Sequence, residues 1–322
     1  MDESEGMPHP LQQSREHMER RSRRKRRRTM IRSIYLVPSM ATLGNAVCGF
    51  ASIYIASLSM LTAESARDPW TAFFILHSIP IAAYLIFLAM VFDALDGRLA
   101  RFTRHTTDFG GQLDSMADVI SFGVAPAILM LYATRALSYW VASLYGVEMP
   151  FIFTRAIWAI GAVYACCAAV RLARFNVSNE HGEQHHFSFL GLPSPAAGGA
   201  VAAWVLMCTA IFEAYLDRYQ VGDNGRMLTF LTYIYFFAVA LLPLITLAVG
   251  LLMVSSLRYP HIVNRYVRGR KSIGTLVVML IIGGVVLALH RYAIALATLI
   301  YVLWGVTGYF MALYRKPAAK PK

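Results

Sequence analysis

Cysteine is scarce: four residues in 322, at positions 48, 166, 167 and 208. All four fall inside long apolar stretches and none has a CxxC or Cys/His ligand spacing, so a disulfide framework and a thiolate metal site are excluded and they read as small core residues. Charge is scarce as well, at 15% of residues against 57% hydrophobic, and acidic residues are the rarer sign, 18 against 30 Lys+Arg. With a mean hydropathy of +0.51, an ordinary soluble domain of this length is excluded. No internal repeat is evident. The first 33 residues contain RRSRRKRRR but neither an apolar core nor a small-residue cleavage site, which argues against a secretory signal and for a disordered basic tail.

What is present is a series of apolar runs of spanning length, about 17 to 25 residues each. They lie at about 34–58, 71–92, 115–134, 154–175, 196–216, 228–255, 274–290 and 293–313. The expected fold is all-α: a polytopic integral membrane helix bundle of about eight transmembrane helices. The expected organisation is a tail (1–33), a membrane domain (34–255), then a basic cytoplasmic loop and two C-terminal spans (256–322).

Charge asymmetry orients the bundle. With a cytoplasmic N-terminus, the tail and segments 93–118, 171–190, 257–273 and 314–322 carry twenty-four of the thirty Lys+Arg, leaving six for the other side. Both termini and the stretch FDALDGRLARFTRHTTDFGGQLDSMAD (92–118) then face the cytoplasm, as in an inner membrane. The net charge of +12 reads as attraction to anionic lipid headgroups, since most of the cations flank spans. Nucleic acid is not an expected partner, because no aromatic-interleaved basic surface accompanies the arginine run. HGEQHH (181–186) has no second cluster at ligand spacing and reads as a solvated loop.

The acidic residues that do occur are concentrated. Asp93 and Asp96 are three apart and Asp114 and Asp118 four apart, so on helices each pair projects from one face. Four carboxylates converging at a membrane interface repel unless cations neutralise them. An all-carboxylate donor set favours a hard, oxygen-loving ion, Mg²⁺ or Mn²⁺. Carboxylates shared by two ions are the usual device for in-line displacement at phosphorus. Asp114 could instead cap the following helix. Asp93 and Asp96, at the end of an apolar run, have no such explanation, because a helix C-terminus disfavours negative charge. Between the pairs, Gly97 allows a ligand near the backbone, Arg98 and Arg101 offer forks for phosphate oxygens, Arg104 reads as a topology marker, and Gly110–Gly111 permits a tight return.

Residues 93–118 fit D-x2-D-G-x2-A-R-x8-G-x3-D-x3-D at every specified position: Asp93, Asp96, Gly97, Ala100, Arg101, Gly110, Asp114 and Asp118. An accidental match is on the order of 10⁻¹⁰ per starting position. The stretch resembles the signature of the CDP-alcohol phosphatidyltransferases. The resemblance implies a six-helix catalytic core, transfer of a phosphatidyl group from a CDP-linked lipid to an alcohol with release of CMP, two divalent cations held by the four aspartates, Asp118 as general base, and a homodimer.

Three further stretches bear on the alcohol. SIYLVPSMATLGNAVCGF (33–50) sets Ser39, Thr42 and Asn45 on one face of the first span, a polar stripe expected to face the bundle interior. AVRLARFN (169–176) places Arg171, Arg174 and Asn176 at a cytoplasmic span end, and FLGLPSPAAGG (189–199) leads into the fifth span. Together they resemble the phosphatidylserine synthase branch, with Ser39 a departure where asparagine commonly follows the proline. That branch implies CDP-diacylglycerol and L-serine as substrates. Gly97, Arg101, Gly110, Ser39, Thr42 and Asn45 would then bind the CDP-lipid, while Arg171, Arg174 and Asn176 would bind serine. Choline, glycerol 3-phosphate or inositol phosphate are the alternative acceptors. An ion-coupled transporter is the reading from another class, although its carboxylates should lie near the bilayer midplane.

Overall fold

The computed structural model describes residues 40–61, 68–103, 108–145, 151–180, 189–222, 225–259 and 289–314. The basic tail, Ser39, the HGEQHH segment, most of the 257–273 loop and the expected seventh span at 274–290 lie outside them.

The described chain is helical, with one two-residue strand pair. Helix α1 (40–57) ends in a 3-10 turn, Leu58–Met60. There follow α2 (Pro69–Leu76), α3 (Ser78–Thr103), α4 (Asp108–Asp118), a π-helical turn (Val119–Val124), α5 (Ala125–Tyr145), α6 (Phe151–Glu180), α7 (Ser194–Gln220), α8 (Arg226–Val254) and α9 (His290–Tyr314). Strand β1 (Phe189–Leu190) pairs antiparallel with β2 (Arg258–Tyr259).

Six stretches are long and apolar enough to cross a membrane: Met40–Met60, Ser78–Leu99, Phe109–Ala136, Ile152–Val177, Ser194–Gln220 and Arg226–Val254. These correspond to the first six of the eight spans expected from hydropathy. Helix α9 occupies the expected eighth span as one continuous helix without being among the six.

The second expected span is divided. Pro80 has no amide to donate to the carbonyl of Leu76, so α2 stops there; α3 restarts at Ser78, where proline falls in a first turn that needs no such donor. Asp68 caps α2, its carboxylate accepting from the Thr71 amide and hydroxyl, each at 2.8 Å.

Helix α7 is the hub, packing on α3, α5, α8 and α9. Its first half is a run of small residues, and two of its glycines sit where a side chain would not fit easily. A Cβ on Gly198 would lie 3.2 Å from Pro126, and one on Gly199 3.1 Å from the Met90 sulfur. Such close approach is how helices associate in lipid, where hydrophobicity gives them no preference for one another. Buried polar side chains add directional contacts: Ser52 Oγ donates to the Ala82 carbonyl (2.8 Å), joining α1 to α3, and Trp204 Nε1 donates to the Ala238 carbonyl (2.9 Å), joining α7 to α8.

Candidate active site

Helices α3 and α4 continue through the motif that hydropathy reads as span ends joined by a basic loop. Helix α3 runs on to Thr103 and α4 starts at Asp108, leaving 104–107 between them. Three expectations change as a result. Asp93 and Asp96 are not at a helix C-terminus, so the macrodipole does not act on them as expected. Asp114 lies well inside α4 and caps nothing. Gly110 and Gly111 are helical residues rather than a turn, and a Cβ on Gly111 would meet no atom within 4 Å.

The geometry brings one carboxylate oxygen from each of Asp93, Asp114 and Asp118 within 4.8 Å of one another. Asp96 stands one turn further along α3, outside this tight group, buried and hydrogen-bonded to the Thr42 side chain. Asp118 is buried, and its Oδ1 accepts from Asn45 Nδ2 at 3.0 Å. Asn45 is itself fixed, because its carbonyl accepts from Ser121 Oγ at 2.8 Å. Helix α1 reaches this close through Gly49, where a Cβ would fall 2.5 Å from Ser121 Oγ and 2.7 Å from Ser121 Cα. Thr42 and Asn45, the polar stripe of α1, therefore face inward as expected, and they contact carboxylates.

The π turn begins directly after Asp118 and displaces the usual hydrogen-bond ladder. Tyr164 of α6, fully buried, donates its hydroxyl to the Phe122 carbonyl in that turn at 2.9 Å. The turn is thus held by α6 on one side and by α1 on the other.

On α6, Arg171 is half-buried and lies within electrostatic reach of Asp118 and Asp93. Its Nη1 donates to Ser194 Oγ at 2.6 Å. Asn176 lies against α4, its Oδ1 accepting from Ser115 Oγ at 3.0 Å, a bond the same hydroxyl can exchange for the Gly111 carbonyl at 3.1 Å. Arg174 and Arg98 are exposed to the surroundings of the bundle, and Gly97 continues α3. Arg101 is on α3, its side chain outside the described residues. Ser115, Ser121 and Ser194 were not legible in the sequence as site residues, since each acts through a partner far along the chain.

The donor set fits a divalent cation. Three carboxylates within 4.8 Å repel by about 3 kcal/mol per pair at an effective dielectric near 20, and one arginine does not balance them. Asp96 Oδ2 and Asp114 Oδ1 are buried without a hydrogen-bond partner, a costly condition that an ion relieves. All donors are oxygen, which suits a hard ion.

Residues 35–221, from α1 through α7, match the CDP-alcohol phosphatidyltransferase family. The chain belongs to that family, an integral membrane transferase with an aspartate cluster able to hold divalent metal. Curated relatives narrow the class. The chain is 27% identical over 276 residues to a CDP-diacylglycerol–serine O-phosphatidyltransferase of Helicobacter pylori, covering 86% of this chain and 92% of the relative. It is 30% identical over 226 residues to the protein of the same name in Bacillus subtilis, covering 70% and 90%. It is also 28% identical over 234 residues to an archaetidylserine synthase of Methanothermobacter thermautotrophicus, covering 72% of each.

Proposed function

We propose that the protein is a phosphatidylserine synthase, moving the phosphatidyl group of CDP-diacylglycerol to L-serine and releasing CMP. The observation that carries this reading is a half-buried arginine, Arg171, within electrostatic reach of two of a group of three carboxylates. One side of the site suits a metal-bound pyrophosphate, and the other suits the carboxylate of an amino acid.

In this mechanism Asp118 accepts the proton of the serine hydroxyl, whose oxygen attacks the lipid-side phosphorus. The bond from that phosphorus to the bridging oxygen breaks, and CMP leaves with the electron pair. Asn45 holds Asp118 for this role through the 3.0 Å bond to its Oδ1, leaving the other oxygen for the proton. Asp93, Asp96, Asp114 and Asp118 would hold two divalent cations, Mg²⁺ or Mn²⁺, with Thr42 orienting Asp96, and the ions would supply neutralisation of the charge on the phosphate oxygens. Gly97, Arg101, Gly110, Ser39, Thr42 and Asn45 contribute to binding the CDP-lipid. Arg171, Arg174 and Asn176 bind serine, the guanidinium pairing with its carboxylate.

The reaction centre faces the cytoplasm in an inner membrane, with both termini on that side. The basic tail (1–33) and the loop within 256–322 lie against anionic headgroups, and two copies form a homodimer.

The test is CMP release by purified protein given CDP-diacylglycerol and Mn²⁺ with serine, choline, glycerol 3-phosphate or inositol phosphate in separate reactions. Release with serine alone, abolished by EDTA and restored by Mn²⁺, is the expected result. Release with another alcohol would overturn the acceptor assignment, and release with none would overturn the reading as a whole.

A further inference from the structure

Arg171 is held in an unusual way. Its Nη1 donates to a neutral hydroxyl, Ser194 Oγ, at 2.6 Å, and its Nε is buried without a partner. A carboxylate in the place of Ser194 would orient the guanidinium equally well but would also neutralise it. A hydroxyl fixes the direction and leaves the positive charge for a ligand. Ser194 has no exposed surface, so this contact is part of the packed interior.

Ser194 is also located independently of α6. It is the first residue of α7, three residues after Gly191, whose φ of +87° turns the chain out of the β1–β2 pair. The Gly191 amide donates to the Leu257 carbonyl at 2.8 Å and the Leu192 amide to the Leu252 carbonyl at 3.0 Å. A Cβ at position 191 would lie 2.3 Å from the Met253 carbonyl oxygen. The approach to α7 is therefore clipped to the end of α8, and Ser194 is presented from a fixed frame.

We propose that Ser194 is a positioning residue that aims Arg171 at the acceptor's carboxylate. This rests on the reading of serine as acceptor. Ser194 does not touch the reacting atoms; it acts through Arg171.

The experiment compares R171A, S194A, S194T and the double variant R171A/S194A by steady-state CMP release, varying serine and CDP-diacylglycerol separately. S194A is expected to raise the serine KM about tenfold, as for loss of one charge-assisted hydrogen bond. Its kcat and CDP-diacylglycerol KM should stay within about twofold. S194T should recover most of the loss, and adding S194A to R171A should change nothing further. Wild-type serine KM in S194A, with R171A raising it, would overturn the positioning role and leave the acceptor assignment standing. An unchanged serine KM in R171A would overturn that assignment and this inference with it. A fall in kcat alone in S194A would mark a purely structural contact and overturn the inference. If S194A does not yield a monodisperse protein in detergent, S194C, which keeps the volume but accepts hydrogen bonds weakly, decides by the same outcomes.

Discussion

Adding one methyl group at Gly49, far from the motif in sequence, should cripple turnover. In Gly49→Ala the new Cβ would stand 2.7 Å from Ser121 Cα and 2.5 Å from its Oγ, where ordinary contact begins at 3.4 Å. The Cα belongs to the π turn and cannot rotate away, so α1 and the turn must separate by the difference, 3.4 − 2.7 = 0.7 Å. The Asn45 Nδ2 to Asp118 Oδ1 distance would then open from 3.0 Å toward 3.7 Å, beyond hydrogen-bonding range. Overpacking of this kind costs about 1–3 kcal/mol of stability, and a displacement near 1 Å at a reacting group costs about 100-fold in rate. The assay is CMP release in proteoliposomes at saturating substrates together with the thermal midpoint in detergent. Gly308→Ala is the control, since a Cβ there meets nothing within 4 Å. Gly49→Ala with wild-type kcat and midpoint would refute the reasoning, because it would mean that the helix contact does not set the position of Asp118.

Asp118→Asn should lower turnover by about 10²–10⁴-fold, the range for loss of a general base, while expression and retention of radiolabelled CDP-diacylglycerol are preserved; normal turnover would remove Asp118 from the mechanism. Tyr164→Phe leaves the Phe122 carbonyl of the π turn without its 2.9 Å partner, and a loss of about 1–3 kcal/mol should appear as a lower thermal midpoint in detergent. The Thr71 amide, and then its hydroxyl, hold the exposed Asp68 carboxyl below its ordinary value. The cap it forms should therefore persist at and above the usual carboxylate pKa of about 3.9 and fail only as pH falls through the lower value of the folded state. Hydrogen exchange at the Thr71 amide, followed from neutral to acid pH, reads this directly, and Asp68→Ala should show fast exchange throughout.

The carboxylate spacing and the polar stripe of α1 were legible because each is a short-range pattern on one helix. Asp114 and Asp118 share one face of α4 and meet Asp93 of α3, with Asp96 one turn away from the group, and Thr42 and Asn45 point inward. The helix limits were not legible. Hydropathy ends a span where charges begin, yet α3 carries Asp93, Asp96, Arg98 and Arg101 on continuous helix, because backbone hydrogen bonding does not stop where an apolar run does. Nor could composition show that Pro80 divides a 22-residue apolar run, or that Gly110 and Gly111 are helical. The supporting contacts were the hardest to foresee. Arg171 and Ser194 are 23 residues apart and Ser115 and Asn176 are 61 apart, so nothing local links them. Of the arginines read together near the fourth span's end, only the fold separates Arg171, turned toward the carboxylates, from Arg174, which is exposed.

The π turn at Val119–Val124 gives the chain more latitude in its count here than in its content. Upstream of it the helix face is chosen by the aspartates, and downstream by the packing of α5. A π turn holds one residue more than an α-helical turn for nearly the same rotation, so deleting one residue there would let the segment close to an ordinary helix with α5 still close to phase. The buried Ser121, Phe122 and Gly123 have no such latitude, because α1 and α6 pack directly on them. Single-residue differences in length between related chains are therefore expected to fall in this turn, with Ser121 and Gly123 staying small.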